Sequence, residues 1–232
     1  MKQFFVWPLV SAMFLLLCGC GAQPPEHVQS VDTAMDTVIQ QNLYLKKNKS
    51  DFTEEVMELI RGLEEDTLSW RLETSEVYRV NQAAGSGEGV ELSEGLSQVM
   101  EKCLELTKNS GGAFDVTLGQ IAVLWDIDNW SSGLRQGEFE VPDEQAVAQA
   151  LALCGSSRLH VESHISMEGD VRLILHPEEG VMLDLGSVGK GLALDYILKL
   201  LEEKKAVSGG IVSTGITYTF RLMCCQSHHV AW

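Results

Sequence analysis

Val181-Met182-Leu183-Asp184-Leu185-Gly186-Ser187-Val188-Gly189-Lys190-Gly191 is an apolar run of strand length that breaks into glycines and opens a long apolar-periodic stretch. Val181 to Leu185 reads as a buried strand. The residues from Ser187 to Glu203, with Leu192, Leu194, Ile197, Leu198 and Leu201 on their faces, read as a helix. At such a turn, backbone N–H groups at a helix start can meet phosphate, and Lys190 adds positive charge. The pattern is not a Walker loop, because Gly191 stands where Ser or Thr must follow the lysine, and it is not G-x-G-x-x-G. A plain strand, turn and helix start fits the same residues.

Working outward, Gly210 to Ser213 reads as a strand after that helix. Leu159–Val161 and Val171–Leu175 before it read as a hairpin. Pro142-Asp143 starts a helix with Val147, Ala150, Leu151 and Cys154 turned inward, stopped by Gly155. Val116 to Leu124 is apolar and is either a strand or a short helix. Ser93 caps a helix whose stripe is Leu96, Val99, Met100, Cys103, Leu104 and, at its far end, Leu106, stopped by Gly111-Gly112. Asp51-Phe52-Thr53-Glu54 resembles a capping box, with Val56, Met57, Leu59, Ile60 and Leu63 as the stripe behind it and an end expected before Leu68. Thr33 to Tyr44 reads as one strand. Helix and strand mix without regular βαβ alternation, so the fold class is α+β, a mixed helix and sheet domain.

A second glycine-bearing segment is Ser110-Gly111-Gly112-Ala113-Phe114-Asp115-Val116-Thr117. Its glycines let backbone approach a ligand. Phe114 can pack on a ring, and Asp115 can take a ribose hydroxyl or a hydrated metal. A helix cap leading into a strand with one buried Phe fits equally. Ala34-Met35-Asp36-Thr37 within the first strand, Leu68-Ser69-Trp70, and Ser75 to Asn81 read by themselves as ordinary strand and loop chemistry.

The beginning of the chain is an export signal. Lys2 precedes an almost wholly apolar run from Phe4 to Leu17, and Leu17-Cys18-Gly19-Cys20 follows. The run is shorter than the ~20 residues a membrane span needs, and Pro8 interrupts it. Leu-x-Gly-Cys is the lipobox pattern, so residues 1–19 are expected to be removed and Cys20 lipidated. Its acyl chains would hold the protein on the extracytoplasmic face of the cell membrane. Residues 20–31 read as a tether. Net charge is −16, with 33 acidic against 17 basic residues, which disfavours nucleic acid. The chain has six cysteines. Cys103 and Cys154 read as core thiols, Cys224-Cys225 are adjacent, and no metal-spaced Cys/His set is present.

Taken in order, these segments resemble the FAD:protein FMN transferase family, also known as ApbE or thiamine biosynthesis lipoprotein. Met35-Asp36-Thr37 stands for its Met-Gly-Thr strand, Trp70 for the aromatic of an S-x-[YW] loop, and Ser75 to Asn81 for S-x-V-x-R-x-N. S-G-G-A-F-D-x-T is matched in full from Ser110, and L-D-L-G-[AS]-[IV]-[AG]-K-G-x-A-x-D in full from Leu183 to Asp195. Trp125 and Val141-Pro142 also agree. The resemblance runs from about Asp32 to Ser213. Residues 215–232, with Cys224-Cys225 and His228-His229, depart from it, and a frameshift soon after Thr214 is the expectation for that tail.

The resemblance implies magnesium-dependent transfer of FMN from FAD to a Thr or Ser hydroxyl of a target flavoprotein, with release of AMP. It places Met35, Trp70, Ala113, Phe114, Asp115, Asp184 and Lys190 at FAD and the Ser187 carbonyl on Mg2+. It leaves the catalytic residues unassigned. Because the tail lacks the family's later motifs, weak or absent transfer is the expectation for the chain as written. The rival reading is an anchored lipoprotein that binds FAD without transferring it.

Overall fold

The segment read as one strand from Thr33 to Tyr44 is a hairpin. The computed structural model describes residues 24–131, 137, 139–167, 169–213, 216–223, 226–227 and 230–231. In it β1 (Glu26–Ala34) and β2 (Thr37–Leu45) pair antiparallel with Ala34 opposite Thr37. Met35 and Asp36 between them take φ of 50° and 56°. Two positive-φ residues make the I′ type of turn, whose twist suits a hairpin and which favours Asn-Gly or Asp-Gly. Neither residue is a glycine, so the turn leaves no ordinary sequence signal. Asp36→Gly is expected to stabilise the protein by ~1 kcal/mol, read as a melting midpoint about 2–4 °C higher. β1 also begins at Glu26, inside the stretch read as a tether. Residues 1–19, Cys20, Cys224, Cys225, His228 and His229 lie outside the described residues.

β2 continues antiparallel into β6 (Ser208–Ser213) and β6 into β7 (Ile216–Met223), with β8 (Gln226–Ser227) and β9 (Val230–Ala231) pairing β7. Gly209 lets β6 lie close: a Cβ there would sit 2.5 Å from the Asn42 carbonyl oxygen. Helix α1 (Thr53–Leu63) covers this sheet, and its Val56, Met57 and Ile60 share one core with Leu43, Leu45, Ile211, Ile197 and Leu201.

A smaller sheet, ordered β3 (Val90–Glu91), β5 (Val171–Pro177), β4 (Leu159–Ile165), includes the expected hairpin. It packs on α2 (Glu76–Gln82) and α3 (Glu94–Asn109) through Leu159, Leu173, Leu175, Val77, Val80, Leu96, Met100 and Cys103. Ser93 caps α3 as expected, accepting from Leu96 N at 3.3 Å. Burial pushes the Cys103 thiol pKa up, as befits a core thiol.

Three expectations change. Ser75 to Asn81 is not loop: Ser75 caps α2, accepting from Tyr78 N and donating to the Thr67 carbonyl. Val181 to Leu185 is buried but is no ladder strand. It runs beside residues 116–119 through one parallel bridge, Leu118 to Met182, with bonds Gly119 N to Met182 O and Asp184 N to Val116 O. Val116 to Leu124 resolves into that extended edge followed by α4 (Gly119–Leu124), with α5 (Ile127–Ser131) next. Helix α6 (Glu144–Ala152) starts at the Asp143 cap, yet none of its residues is buried, Leu151 is exposed, and Cys154 lies past its end. Among the described elements it rests chiefly on the short α4, so the inward stripe has little to face. Helix α7 (Gly186–Lys204) is as long as its periodicity suggests. No helix among the described residues is long and apolar enough to cross a membrane.

Candidate functional site

α1 does not end cleanly. Its last turn widens into a π segment, Glu64–Leu68, closed by Ser69 N donating to the Glu64 carbonyl at 3.0 Å. That widening turns Leu68 into the core and delivers Ser69, Trp70 and Arg71 to the mouth of a cleft of about 290 Å³. The opposite wall is the β1–β2 turn, Met35 to Thr37. The floor is Asp184 to Gly186 with Gly189 and Lys190 of α7, and Ile127 of α5 stands at the edge. The approach is close at Gly189, where a Cβ would lie 3.3 Å from Leu68 Cδ1.

The charges on the walls nearly balance. Asp36, Glu64 and Asp184 face Arg71 and Lys190. The Arg71 guanidinium lies 4.3 Å over the Trp70 ring, a cation–π arrangement. Asp184 Oδ1 accepts from Gly186 N at 2.8 Å and fixes the turn into α7. Val188 N and Gly189 N both donate to the Leu185 carbonyl, so most N–H groups at this helix start are already engaged by protein. The phosphate-holding role expected of the turn therefore falls chiefly on Lys190, whose ammonium makes no hydrogen bond or ion pair with the described residues. Its stem lies along an apolar slot with Ile39, Ile60, Ala193, Leu194 and Ile197.

Met35, Trp70, Asp184 and Lys190, separated widely in sequence, thus meet in one cleft. Ala113, Phe114 and Asp115 do not line it. Ala113 is exposed, and Phe114 is half-buried against the core that also carries Met35, Trp70 and Val188. The bond from Asp184 N to Val116 O sets their turn beside the floor of the cleft, so the two glycine-bearing turns share one side of the fold. Asp115 is occupied with protein donors: Oδ1 accepts from Thr117 N and Oγ1, and Oδ2 from Ser156 N. It ties its own turn to the loop after α6. Ser187 is exposed in the first turn of α7, outside the cleft lining. Among the described residues no group of three or more His, Cys, Asp or Glu is placed to hold a metal. These residues alone do not build a magnesium cage.

Asp36 lines the cleft beside Met35, in the segment that stands for the Met-Gly-Thr strand; Glu64 and Arg71 also line it and have no place in the expected set. Glu64 opens the acidic run Glu64-Glu65-Asp66, which reads as a solvated face; Arg71 simply follows an aromatic. Only the neighbourhood of Trp70 in sequence hints at either.

The pattern of the ApbE family matches residues 35–220. The chain belongs to the ApbE family. The match begins at Met35, the first cleft residue, and includes every site residue expected from Met35 to Lys190. Among curated relatives, the FAD:protein FMN transferase of Treponema pallidum (strain Nichols) is 28% identical over 94% of this chain and 61% of its own length. That of Klebsiella pneumoniae (strain 342) is 26% identical over 92% and 61%. The chain therefore spans about three fifths of the length of these relatives. A solved structure of the flavin transferase ApbE from Vibrio cholerae matches with a TM-score of 0.70 at 22% identity, covering 90% of this chain and 63% of that one. The apo flavinyl transferase ApbE of Pseudomonas stutzeri matches with a TM-score of 0.66 at 22% identity, over 85% and 60%. These likenesses show that the α+β arrangement is the ApbE fold.

Proposed function

We propose that this ApbE chain takes part in moving FMN from FAD to a Thr or Ser hydroxyl of a partner flavoprotein, releasing AMP. The observation that carries the reading is the meeting of Met35, Trp70, Asp184 and Lys190, whose ammonium has no partner among the described residues, in one cleft. The reaction breaks the pyrophosphate P–O bond on the FMN side. The bridging oxygen leaves with AMP, the acceptor oxygen bonds to the FMN phosphorus, and the hydroxyl gives up its proton. Little covalent work falls on protein; charge compensation and placement carry such a step.

In this reading Trp70 and Met35 offer apolar surface to a ring. Asp184, anchored by Gly186 N, presents a carboxylate to a polar edge of FAD. Lys190 lies against the phosphates. Phe114 supports the floor from the neighbouring turn, and Ala113 and Asp115 flank FAD where it extends past the cleft. Magnesium belongs to the same proposal, with the Ser187 carbonyl as one hard oxygen ligand. Bound there it would offset phosphate charge. The remaining oxygens would come from FAD, water or groups beyond the described residues.

Anchoring through lipidated Cys20 on the extracytoplasmic face completes the reading. The test is incubation of the full chain with FAD, magnesium and an acceptor carrying the target hydroxyl. FAD binding with only weak AMP release and little covalently bound flavin is expected of the chain as written. FAD binding without AMP would favour a flavin-binding lipoprotein, and no saturable FAD binding would overturn both. Mass spectrometry of the processed N-terminus reads the anchor.

A further inference from the structure

We propose that Glu64 is a positioning residue that sets the width of the cleft by tying its two walls together, an inference that rests on reading the cleft as a flavin site. Two bonds from one residue carry it. The backbone carbonyl of Glu64 accepts from Ser69 N at 3.0 Å and closes the π turn that delivers Trp70. The side chain reaches the other way, Oε2 accepting from Met35 N at 2.9 Å across 29 residues of sequence.

Met35 needs such a hold. It and Asp36 sit at positive φ without being glycine, a conformation that costs free energy and persists where surrounding structure over-determines it. Glu64 supplies the determinant. Its carboxylate makes no ion pair with the described residues, because the nearby Arg61 guanidinium is spent on Asp32 and Glu54. The Met35 N–H therefore meets an acceptor oxygen that no cation among the described residues shares. π turns inside helices recur at functional sites, where one extra residue re-aims the side chains after it. Here the residue that opens the π turn is also the one that grips the facing wall, beside the Arg61–Asp32 pair that joins the same helix to β1. The role is geometric: Glu64 acts through Met35 and Trp70, and needs an acceptor oxygen rather than a charge.

The test compares the full chain with Glu64→Ala and Glu64→Gln. FAD titration gives Kd, and hydrogen exchange gives the protection of the Met35 amide. Glu64→Ala is expected to weaken FAD binding about tenfold, the upper end of what one ordinary hydrogen bond supplies. It is also expected to speed Met35 exchange by a similar factor. Glu64→Gln, whose amide oxygen accepts the same N–H, should restore both to within about twofold. Glu64→Ala that behaves like wild type overturns the proposal. So does Glu64→Gln that fails like Glu64→Ala, since that outcome makes Glu64 a charge and not a spacer. If the wild-type chain binds no FAD, the flavin reading falls and amide exchange decides this one. Slow exchange in wild type and Glu64→Gln with fast exchange in Glu64→Ala upholds it, and equal exchange in all three overturns it.

Discussion

Lys190→Met is expected to raise the Kd for FAD by about 30–150-fold while leaving the melting midpoint nearly unchanged. The two halves of that result have different causes. At an effective dielectric constant of about 20, a cation 4 Å from a phosphate oxygen gains about 4 kcal/mol. Some of this is returned in stripping water from the ammonium. A net 2–3 kcal/mol remains, and each 1.4 kcal/mol is tenfold in affinity. Stability moves little because the folded protein makes no hydrogen bond or ion pair to this ammonium among its described residues. Lys190 lines an apolar slot with Ala193, Leu194 and Ile197, where the unbranched apolar chain of methionine fits as well as the lysine stem. Riboflavin, which has no phosphate, is the control. Its binding should be the same in wild type and Lys190→Met, and added salt should weaken FAD binding in the wild type more than in the variant. An equal loss for FAD and riboflavin would place Lys190 at the ring rather than at the phosphates.

Much of the fold is legible where local chemistry and burial agree. Ser93 caps a helix whose stripe of Leu96, Met100 and Cys103 is the buried one, and the β4–β5 hairpin alternates Leu173 and Leu175 inward. Legibility fails where a conformation is imposed from outside. Nothing in Met35-Asp36 announces a tight turn; the turn is held by β1 pairing with β2 and by a carboxylate 29 residues away. Nothing in Glu64-Glu65-Asp66-Thr67-Leu68 announces a π segment, because an α-helix satisfies the same propensities. Helix α6 errs the other way: Val147, Ala150 and Leu151 have the spacing of a core stripe, and the fold offers them no core. The candidate site follows the same division. Met35, Trp70, Asp184 and Lys190 come from motif resemblance, since no spacing rule joins a hairpin turn, a π turn and a helix start. Glu64 belongs to no quoted motif, and its role exists only once the two walls stand opposite each other.

Asn81→Leu is expected to cost about 2–5 kcal/mol of stability. The reason is the missing strand beside residues 181–185. On one edge that segment meets residues 116–119; on the other, Asn81 takes the place of a neighbouring strand. Its Nδ2 donates to the Leu183 carbonyl at 3.0 Å and its Oδ1 accepts from Leu183 N at 2.7 Å. Leu183 is 1% exposed, so water cannot replace these bonds without opening the core. Leucine leaves one donor and one acceptor unsatisfied, at about 1–3 kcal/mol each. Against a total of ~5–15 kcal/mol this is a large share, and the midpoint should fall by about 10 °C. Asn81→Asp separates hydrogen bonding from size. The new carboxylate still accepts from Leu183 N but faces the Leu183 carbonyl with a lone pair, so it is destabilised at neutral pH. Once protonated it donates, and the bond pair is restored. Its pKa in the folded state is thereby raised above the ordinary ~3.9. The recovered stability is fully present below that ordinary value and is lost as pH rises through the folded pKa. Asp184 is the next residue along, so both variants should also loosen FAD binding. A melting midpoint for Asn81→Leu equal to the wild type would mean that Leu183 finds other partners, and that the floor of the cleft is not hung from α2.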